Sequence, residues 1–278
     1  MIVVADSGST KTLWALAGTS RRWAGAGLNP LFADEATQRT EMDKARRQLG
    51  IAPGEATVHF YGAGCGQPAA RERVGKALEA AFGTEAVEVA TDMLGACRAM
   101  CGREAGVVGI LGTGSNCCCF DGRSIAFQPV STGYILGDQG SANHVGRRLL
   151  ADYLGGRMPD RLASRFREAF PLNHEQFLEA VYRKPNANRF LASLAPFALH
   201  HETDPYCLGM VAESLGQWYD TQLEACLQRA GRRDFCLVGG FAAAIGMPMQ
   251  RFLQAHGLRL QAVAANPMDG LLAYHAGE

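Results

Sequence analysis

The sequence predicts an α/β protein of two related lobes, each built on a mixed β-sheet with helices. Its 278 residues are enough for about two domains. Hydrophobic residues make up 47% and charged residues 19% of the chain, which is typical of a folded protein with buried cores. The 33 glycines cluster after short apolar runs, and this indicates strands that end in tight polar turns.

One series of elements occurs twice: strand, polar glycine turn, strand, turn and strand. It begins at residue 2 and again at residue 107. This separation is longer than the repeats of solenoid proteins, so we expect two related domains that face each other. The predicted domains are residues 1–104 and 105–267, the second with a helical insertion. The terminal helix 268–278 is expected to pack back on the first domain.

The strands are located by apolar runs of four to seven residues between turn residues. Asp121 and Gly122, for example, form a hairpin signal before the third strand of the second series. Strands are predicted at residues 2–5, 13–17, 22–26, 58–62, 87–90, 107–111, 117–120, 124–130, 235–238 and 258–263.

The helices are predicted from apolar residues three and four positions apart, as at Val74, Ala77, Leu78 and Ala81. They cover residues 34–49, 68–82, 93–100, 142–153, 159–170, 174–181, 186–200, 205–230, 242–256 and 268–275. Residues 133–141 are not assigned to a helix.

The charge balance and the termini exclude several classes of protein. Lys+Arg and Asp+Glu are both 27, which argues against a nucleic-acid binder with a broad basic surface. No apolar run is long enough for a membrane span, and the amino terminus lacks a signal-peptide pattern, so we expect a cytoplasmic protein. The nine cysteines, including the triplet Cys117–Cys119, are expected to be reduced core residues.

The first polar turn combines groups that can bind a phosphate. Asp6, Gly8, Thr10, Lys11 and Thr12 bring backbone amides, two hydroxyls and a cation together directly after a strand. The amides can donate to phosphate oxygens, and the acid can hold a hydrated Mg²⁺. An ordinary hairpin turn with a solvated lysine explains the same residues equally well.

Two further glycine turns follow strands. Gly112, Thr113 and Gly114 form a second polar glycine turn directly after a strand, like the first one. Gly239 and Gly240 form a glycine pair after a later strand. Three such turns, two of them in repeated series, favour a nucleotide held between two lobes over three ordinary turns.

Six motifs spread over nearly the whole chain carry a resemblance to a known family. They are DSGSTKT (6–12), GLNP (27–30), TDMLGA (91–96), LGTGSNC (111–117), GYILGDQGSA (133–142) and LVGGF (237–241). In this order and spacing they resemble the N-acetylglucosamine kinase family, which is grouped with the BadF/BadG/BcrA/BcrD-type ATPases. Both belong to the actin/hexokinase/Hsp70-like ATPase superfamily.

The resemblance implies a fold and an activity. The fold is a two-lobed actin-like ATPase (ribonuclease H-like) fold with its active site in the interlobe cleft. The activity is ATP-dependent phosphorylation of an amino sugar, N-acetylglucosamine to N-acetylglucosamine 6-phosphate, with ATP and Mg²⁺ as cofactors. The expected partner is the small-molecule sugar, with no nucleic acid and no membrane, and a homodimer is an open expectation.

The resemblance also implies roles for individual residues. Asp92 aligns with the catalytic carboxylate of the family, and Asp6 would lie near the metal. The nucleotide would be bound by Asp6, Gly8, Thr10, Lys11, Gly112, Thr113, Gly114, Gly239 and Gly240. The sugar would be bound by Asn29, Asp92, Ser115, Asn116, Thr132, Gly133 and Asp138.

The chemistry of phosphoryl transfer makes Asp92 a candidate catalytic residue independently of the family resemblance. Transfer to an alcohol needs in-line positioning, charge neutralisation and a carboxylate that accepts the hydroxyl proton. Asp92 follows a strand and precedes a helix, so it is a candidate base, but an aspartate at that position also makes a good helix N-cap. The family usually has an acidic residue where Gln139 stands, a departure that weakens any role for position 139 and leaves Asp138 intact.

Two alternative functions stay open at this point. One is an ATP-driven activator of a dehydratase or reductase with an iron–sulfur cluster, for which Cys97 and Cys101 are the cysteines to consider. Such a cluster takes thiolates from a glycine-flanked loop, whereas these two lie in a predicted helix rich in alanine. The other is a sugar- or nucleotide-binding regulator that has kept the fold and lost turnover.

Overall fold

The strands follow the predicted order along the chain. The computed structural model describes residues 1–31 and 33–277. The strands are β1 (Ile2–Ser7), β2 (Lys11–Leu16), β3 (Arg22–Ala26), β4 (Thr57–Gly62), β5 (Val87–Thr91), β6 (Gly106–Leu111), β7 (Ser115–Phe120), β8 (Ile125–Phe127), β9 (Asp234–Val238) and β10 (Arg259–Ala264).

The helices lie mainly between β3 and β6 and between β8 and β10. They are α1 (Glu35–Gln48), α2 (Pro68–Phe82), α3 (Asp92–Cys101), α4 (Gly133–Leu136), α5 (Ala142–Leu154), α6 (Asp160–Ala169), α7 (His174–Tyr182), α8 (Ala187–Leu194), α9 (Pro196–His200), α10 (Pro205–Trp218), α11 (Glu224–Ala230), α12 (Gly240–Ala244), α13 (Met247–His256) and α14 (Met268–Ala276). Within the described residues, no helix is both long enough and apolar enough to cross a membrane.

The two five-stranded sheets have the same topology. Their strand orders are β3-β2-β1-β4-β5 and β10-β9-β6-β7-β8, which is one order seen from opposite edges. In each sheet the first strand pairs antiparallel with the next strand and parallel with a strand that follows a helical segment. The predicted fold class, α/β with two lobes that each have a mixed sheet and helices, is therefore confirmed.

The chain divides into two compact units. The first consists of Met1–Ala105, Asp121–Ile125 and the C-terminal residues from Asn266 onward, and the second of Gly106–Phe120 and Ala126–Ala265. The predicted terminal helix extended to Glu278, which lies outside the described residues. The division into two domains at the predicted boundaries stays a prediction.

Helices cover both faces of the first sheet. Val3 of β1 belongs to an apolar cluster with Met42 of α1 and Leu78 of α2. The next residue, Val4, belongs to a cluster with Leu271 of α14. Successive side chains of a strand point to opposite faces, so β1 is buried on both, which explains its uninterrupted apolar sequence.

The core of the second unit joins its sheet to the helical insertion. Trp218 of α10 is fully buried and lies with its ring 6.0 Å from that of Phe235 in β9. The same cluster includes Leu111 of β6 and Phe166 of α6. The insertion is therefore packed on the sheet by a continuous apolar core.

Three predicted elements differ from the structure for local reasons. The predicted helix 186–200 is divided into α8 and α9 at Pro196, because proline cannot donate the backbone hydrogen bond of a helix interior. The predicted helix 205–230 is interrupted by a π-helical turn, Tyr219–Leu223. The predicted strand 124–130 shrinks to β8, since Pro129 cannot donate to a strand ladder.

Two more differences involve glycine. The predicted helix 242–256 consists of two helices, α12 and α13, which are separated at Ile245 and Gly246. The stretch 133–141, which was not assigned to a helix, contains the single turn of α4.

A polar network ties the last helix of the chain to the first sheet. Arg98 of α3 donates to Glu88 Oε1 at 2.8 Å and to Tyr61 Oη at 2.7 Å. His59 Nδ1 lies 2.8 Å from Glu88 Oε2, and His275 Nε2 of α14 lies 2.8 Å from Tyr61 Oη. The network links β4, β5, α3 and α14, and so it fixes the helix that begins at Asp92.

We predict that Glu88→Gln lowers thermal stability near neutral pH. Hydrogen bonds from His59 and Arg98 lower the pKa of Glu88 to about 2, whereas an unfolded glutamate titrates near pKa ~4.3. A lowered pKa stabilises the fold above the unfolded value, and this contribution is lost as pH falls towards 2. The difference in melting temperature between wild type and variant should therefore shrink between about pH 4.3 and pH 2.

The control for this experiment is Glu85→Gln, which changes an exposed glutamate near the start of the same strand. Its melting temperature should follow that of the wild type at every pH. An equal melting temperature of Glu88→Gln and wild type at pH 7 would contradict the stabilising role of the network.

Candidate functional site

Parallel pairing places two acidic residues at one edge of the first sheet. In the register of the central strands, Ser7 lies opposite Gly62, and Gly62 lies opposite Thr91. Parallel strands end at the same edge, where ligands bind in sheets of this kind. Asp6, the residue before Ser7, and Asp92, the residue after Thr91, therefore lie at the same edge, on the two strands that flank β4.

The two carboxyl groups influence each other electrostatically. Burial and the negative charge of Asp92 raise the pKa of Asp6 to about 7, while Lys11 acts in the opposite direction. Burial also raises the pKa of Asp92, although its carboxylate accepts a hydrogen bond from the amide of Met93 (2.9 Å). Like charges held at one buried edge favour either a proton or a cation between them.

The hypothesis that Asp92 is the N-cap of its helix is wrong. Thr91 occupies that position, and its hydroxyl accepts a hydrogen bond from the amide of Leu94 at 3.1 Å. Asp92 is the first residue of α3. Because capping is supplied by Thr91, the carboxylate of Asp92 has an oxygen left for other chemistry.

The predicted first phosphate turn is a closed hairpin turn between β1 and β2. The amide of Gly8 donates to the carbonyl of Lys11 at 3.0 Å, and the carbonyl of Thr10 accepts from the amide of Gly27 at 3.1 Å. Thr10 and Lys11 are exposed, and Gly8 is half-buried. The turn thus has a fixed backbone and presents its hydroxyl and its cation to solvent.

Asn29, predicted to bind the sugar, lies against this turn. Its Nδ2 donates to Ser9 Oγ at 3.1 Å, and its Oδ1 accepts from the amide of Leu31 at 2.9 Å. Asn29 is buried. The structure therefore brings the GLNP and DSGSTKT motifs together, and Asn29 keeps only one amide hydrogen for a ligand.

The loop Gly112–Gly114 has a backbone orientation suited to an anion. The carbonyl of Gly112 accepts from the amide of Ala142 at 3.0 Å, and the carbonyl of Thr113 accepts from the amide of Asn143 at 3.1 Å. In a trans peptide the N–H of the next residue points opposite to the carbonyl. The amides of Thr113 and Gly114 therefore both point away from α5, as in the anion-binding concavities of phosphate loops.

Asp138 supports this loop from behind. Its Oδ1 accepts from the amide of Ser115 at 3.2 Å. A Cβ at position 114 would lie only 2.7 Å from its Oδ2, which is too close for a side chain. Asp138 has a φ of 56°, a left-handed conformation that costs energy for a residue with a side chain. Sequence reasoning assigned Asp138 to the sugar, and the contacts in this structure are with the loop.

Asn143 is a residue of this site that sequence reasoning missed. It is fully buried, and its Nδ2 donates to the carbonyl of Thr113 at 3.1 Å and to Asp138 Oδ2 at 3.0 Å. One amide group thus joins the loop to the carboxylate behind it. The only signal in the sequence is its position two residues after Ser141, the N-cap of α5.

The two polar residues after the loop point in different directions. Ser115 is buried, and its hydroxyl accepts from Nε2 of Gln222 in the π-helical turn at 3.2 Å. Asn116 is half-buried, and its Oδ1 accepts from Nε2 of Gln128 at 3.0 Å. Of this pair only Asn116 has its side chain outside the core, and the predicted role of Ser115 stays a prediction.

Gly239 and Gly240 lie beside the loop at the same edge of the second sheet. In the register, Ile110 lies opposite Val238, so β6 and β9 end together. Gly239 has a φ of 134°, and a Cβ there would lie 2.2 Å from the carbonyl oxygen of Leu111. A side chain is excluded at Gly239 by the fold itself, whereas Gly240 has open space around it.

The remaining predicted sugar-binding residues are Thr132 and Gly133, at the start of α4. Both are exposed, no backbone hydrogen bond among residues 1–31 and 33–277 joins them to Gly112–Gly114, and their predicted role stays a prediction. Cys97 is buried and Cys101 half-buried within α3, not in a glycine-flanked loop. Cys117–Cys119 are all buried, as the packing interpretation predicts. In the described part of the chain, no group of three or more His, Cys, Asp or Glu side chains could hold a metal ion.

Solved structures share this fold. No family model and no curated protein matches the chain. A candidate N-acetylglucosamine kinase from Porphyromonas gingivalis is 36% identical over 100% of this chain and 99% of its own, with a TM-score of 0.91. A second one, from Chromobacterium violaceum, is 19% identical over 98% of both chains, with a TM-score of 0.74. A ROK family glucokinase from Streptomyces griseus, in complex with glucose and AMPPNP, is 15% identical over 98% of this chain and 97% of its own, with a TM-score of 0.60.

The duplicated sheet topology, together with the similarity to these solved structures, identifies the actin-like ATPase fold of the actin/hexokinase/Hsp70-like superfamily. Within that superfamily the identity and full coverage of the Porphyromonas protein are decisive. The chain belongs to the N-acetylglucosamine kinase family, a family of sugar kinases.

We predict that Asn143→Ala loosens the glycine loop. The substitution leaves two buried acceptors, the Thr113 carbonyl and Asp138 Oδ2, without this donor. Such a loss costs about 1–3 kcal/mol in the free energy of unfolding, measurable by urea titration. Amide hydrogen exchange of residues 112–115 should become faster. A matched substitution on α8, Asn188→Ala, should leave that exchange unchanged, and equal exchange in both variants would contradict the role of Asn143.

Proposed function

We propose that the protein transfers the γ-phosphate of ATP to the 6-hydroxyl of N-acetylglucosamine. The observation that carries the proposal is the outward orientation of the Thr113 and Gly114 amides, in a chain of this family. Two donors fixed by the backbone suit the phosphates of a nucleotide. The related glucokinase from Streptomyces griseus was solved with AMPPNP and glucose, which supports the same two classes of ligand here.

The nucleotide contacts follow from the two glycine turns of the second sheet. The phosphates are bound by the amides of Thr113 and Gly114. Gly112 has no side chain, and a Cβ there would project into open space, so the backbone at this position is open to close approach by the ligand. The adenosine lies towards Gly239 and Gly240, which end the neighbouring strand. Thr10 and Lys11 contribute a hydroxyl donor and a positive charge to the phosphates, and Gly8, whose amide donates to the carbonyl of Lys11, holds the turn.

The acidic residues of the first sheet fit a magnesium ion. In nucleotide enzymes Mg²⁺ keeps several waters and is bound by one or two carboxylates and the phosphates, so a cluster of three protein ligands is not required. Asp6, whose pKa is raised by burial and by the charge of Asp92, is the carboxylate that a cation would stabilise. Bound there, Mg²⁺ would supply neutralisation of phosphate charge.

Asp92 acts as the general base in this proposal. The oxygen of the sugar 6-hydroxyl forms a bond to the γ-phosphorus, and its proton passes to the carboxylate of Asp92. The bond between the γ-phosphorus and the bridging oxygen breaks, and ADP leaves with the electron pair. Burial raises the pKa of Asp92, which makes its carboxylate a stronger proton acceptor than an exposed aspartate.

The direct test of the proposed function is a screen of sugars for ATP consumption. Purified protein with Mg²⁺-ATP is incubated with N-acetylglucosamine, glucosamine, N-acetylmuramate and glucose, and sugar phosphate is identified by mass spectrometry. We expect sugar-dependent ADP release with N-acetylglucosamine. ADP release that is equal with and without every sugar would contradict a sugar kinase.

We predict that Asp92→Asn lowers kcat by about 10²–10⁴, the usual contribution of a general base. Asparagine keeps the shape of the side chain and removes the proton acceptor, and Thr91 still caps the helix. The affinities for ATP and sugar and the melting temperature should change little.

The matched control is Asp160→Asn, which changes an aspartate that is also the first residue of its helix, α6. It should keep wild-type turnover. If Asp92→Asn retains more than about a tenth of the wild-type kcat, the loss falls short of general-base catalysis and the assignment of Asp92 is wrong.

We predict that Gly112→Ala weakens nucleotide binding without destabilising the fold. A Cβ at position 112 meets no protein atom within 4 Å. Any effect of the substitution on nucleotide affinity therefore comes from contact between the new methyl group and the ligand. The Kd for ADP, measured by calorimetry, should rise at least about tenfold, since displaced phosphates lose charge-assisted hydrogen bonds. Gly216→Ala in α10, where the Cβ also meets open space, is the control that should bind normally. Equal Kd values in the two variants would place the phosphates elsewhere.

A further inference from the structure

A buried serine and a buried histidine lie against the turn that precedes α5. Ser214 of α10 is fully buried, and its Oγ accepts from the amide of Gly140 at 3.1 Å. His144, in the first turn of α5, is also buried, and its Nδ1 lies 2.7 Å from the same oxygen. One hydroxyl group thus joins α10, α5 and the turn of residues 138–141.

This pair is not a nucleophile with its general base. A serine within hydrogen-bond distance of a histidine is the arrangement that serine hydrolases use. The side chain of Ser214, however, has no exposed surface, and its oxygen already accepts from the amide of Gly140. Because a substrate cannot reach this oxygen, the chemistry of the pair is directed at the turn itself.

The direction of each hydrogen bond follows from the groups present. A backbone N–H only donates, so Ser214 accepts from Gly140, and its own hydrogen needs another acceptor. Among the hydrogen bonds of residues 1–31 and 33–277, the other partner of Ser214 is His144 Nδ1. Burial, together with the charges of Arg147 and Arg148, lowers the pKa of His144 to about 4. The ring is therefore neutral near pH 7, and its Nδ1 accepts the hydroxyl hydrogen.

Gly140 also packs directly on α10. It has a φ of 79°, and a Cβ at this position would lie 2.7 Å from the Cβ of Trp218. Trp218 comes four residues after Ser214, so both contacts are made by the same face of the helix. Gly140 is thus held by its Cα and by its amide at once, and the hydrogen bond to Ser214 fixes the rotation of its peptide.

The turn determines where the carboxylate of Asp138 points. The carbonyl of Asp138 accepts from the amide of Ser141 at 3.1 Å, which closes the turn around Gly140. Asp138 has a left-handed conformation that is costly for a residue with a side chain, so it depends on the neighbouring contacts. Its Oδ1 accepts from the amide of Ser115 directly after the loop Gly112–Gly114. Release of Gly140 would free Asp138 and remove the support behind the loop.

We infer that Ser214 and His144 are positioning residues for the nucleotide, which hold the turn 138–141 and, through Asp138, the amides of the glycine loop. The inference rests on the proposed function for the identity of the ligand. It goes beyond that function because it gives a role to two buried residues outside the proposed phosphate and sugar contacts. The apparent Kd of a ligand rises as the fraction of molecules in the binding conformation falls.

The test measures the Kd for ADP with Mg²⁺ by calorimetry, near neutral pH, in wild type, Ser214→Ala and His144→Leu. Alanine leaves the amide of Gly140 without an acceptor, and we expect Kd to rise about threefold to tenfold, the range for one neutral hydrogen bond. Leucine removes only the acceptor of the serine hydrogen, so Kd should rise about twofold to threefold. Amide hydrogen exchange of residues 112–115 and 138–141 should become faster in both variants.

Two further variants separate positioning from a general loss of stability. His144→Asn keeps an acceptor, because the amide oxygen Oδ1 is bonded to Cγ as Nδ1 is in histidine, and it should restore the wild-type Kd. Leu162→Ala truncates a buried leucine of α6, outside the turn, and lowers the melting temperature by creating a cavity. Its Kd for ADP should equal that of the wild type.

Each result either supports or overturns the inference. An equal Kd in wild type and in folded Ser214→Ala, or a similar rise of Kd in Leu162→Ala, would overturn it and leave the kinase intact. If Ser214→Ala does not fold, the comparison of His144→Leu with His144→Asn decides, and equal Kd values in these two would overturn it. Wild-type protein that does not bind ADP would contradict the proposed function itself, and the inference with it.

Discussion

The hydrogen bonds from the first turn of α5 to the carbonyls of Gly112 and Thr113 determine what the second unit can bind. The first amides of a helix have no partner inside the helix, and they commonly bind anions directly. Here the amides of Ala142 and Asn143 are used by the loop instead. Because the Gly112–Thr113 and Thr113–Gly114 peptides are trans, their N–H groups point away from α5. The loop therefore presents its own amides to an anion in place of the amides of the helix. Asp138 and Asn143 matter because they keep these two peptides from rotating.

The same topology supports opposite chemistry in the two sheets. At the edge of the first sheet, acids lie at the ends of β1 and β5, and the pKa of Asp6 is raised by burial and by Asp92. At the edge of the second sheet, the residues after parallel strands are glycines, and the groups that remain are backbone donors. A pair of carboxylates attracts a cation and a row of backbone donors attracts an anion, so the two edges suit ligands of opposite charge. The two sheets thus share one topology and differ in the side chains at the strand ends.

Much of the fold could be predicted from the sequence because each strand is an apolar run closed by a polar turn. β3 and α2 have the predicted boundaries, and the repeated series corresponds to the repeated sheet order. What could not be predicted depends on three-dimensional contacts. Thr91 rather than Asp92 caps α3, although both residue types are good caps. Asn143 and Gln128 are ordinary polar residues in the sequence, and only the packing of α5 and β8 places them at the loop and at Asn116.

The glycines near the second sheet are required for different reasons, and the structure separates them. At Gly114 the space of a side chain is filled by the carboxylate of Asp138, and at Gly239 it is filled by the carbonyl of Leu111. These two glycines are needed by the fold whether or not a ligand is bound. Gly112 and Gly240 have open space around their Cα atoms, so nothing within their own unit demands glycine there. Any requirement for glycine at those two positions would come from a molecule that approaches the backbone, as a nucleotide would.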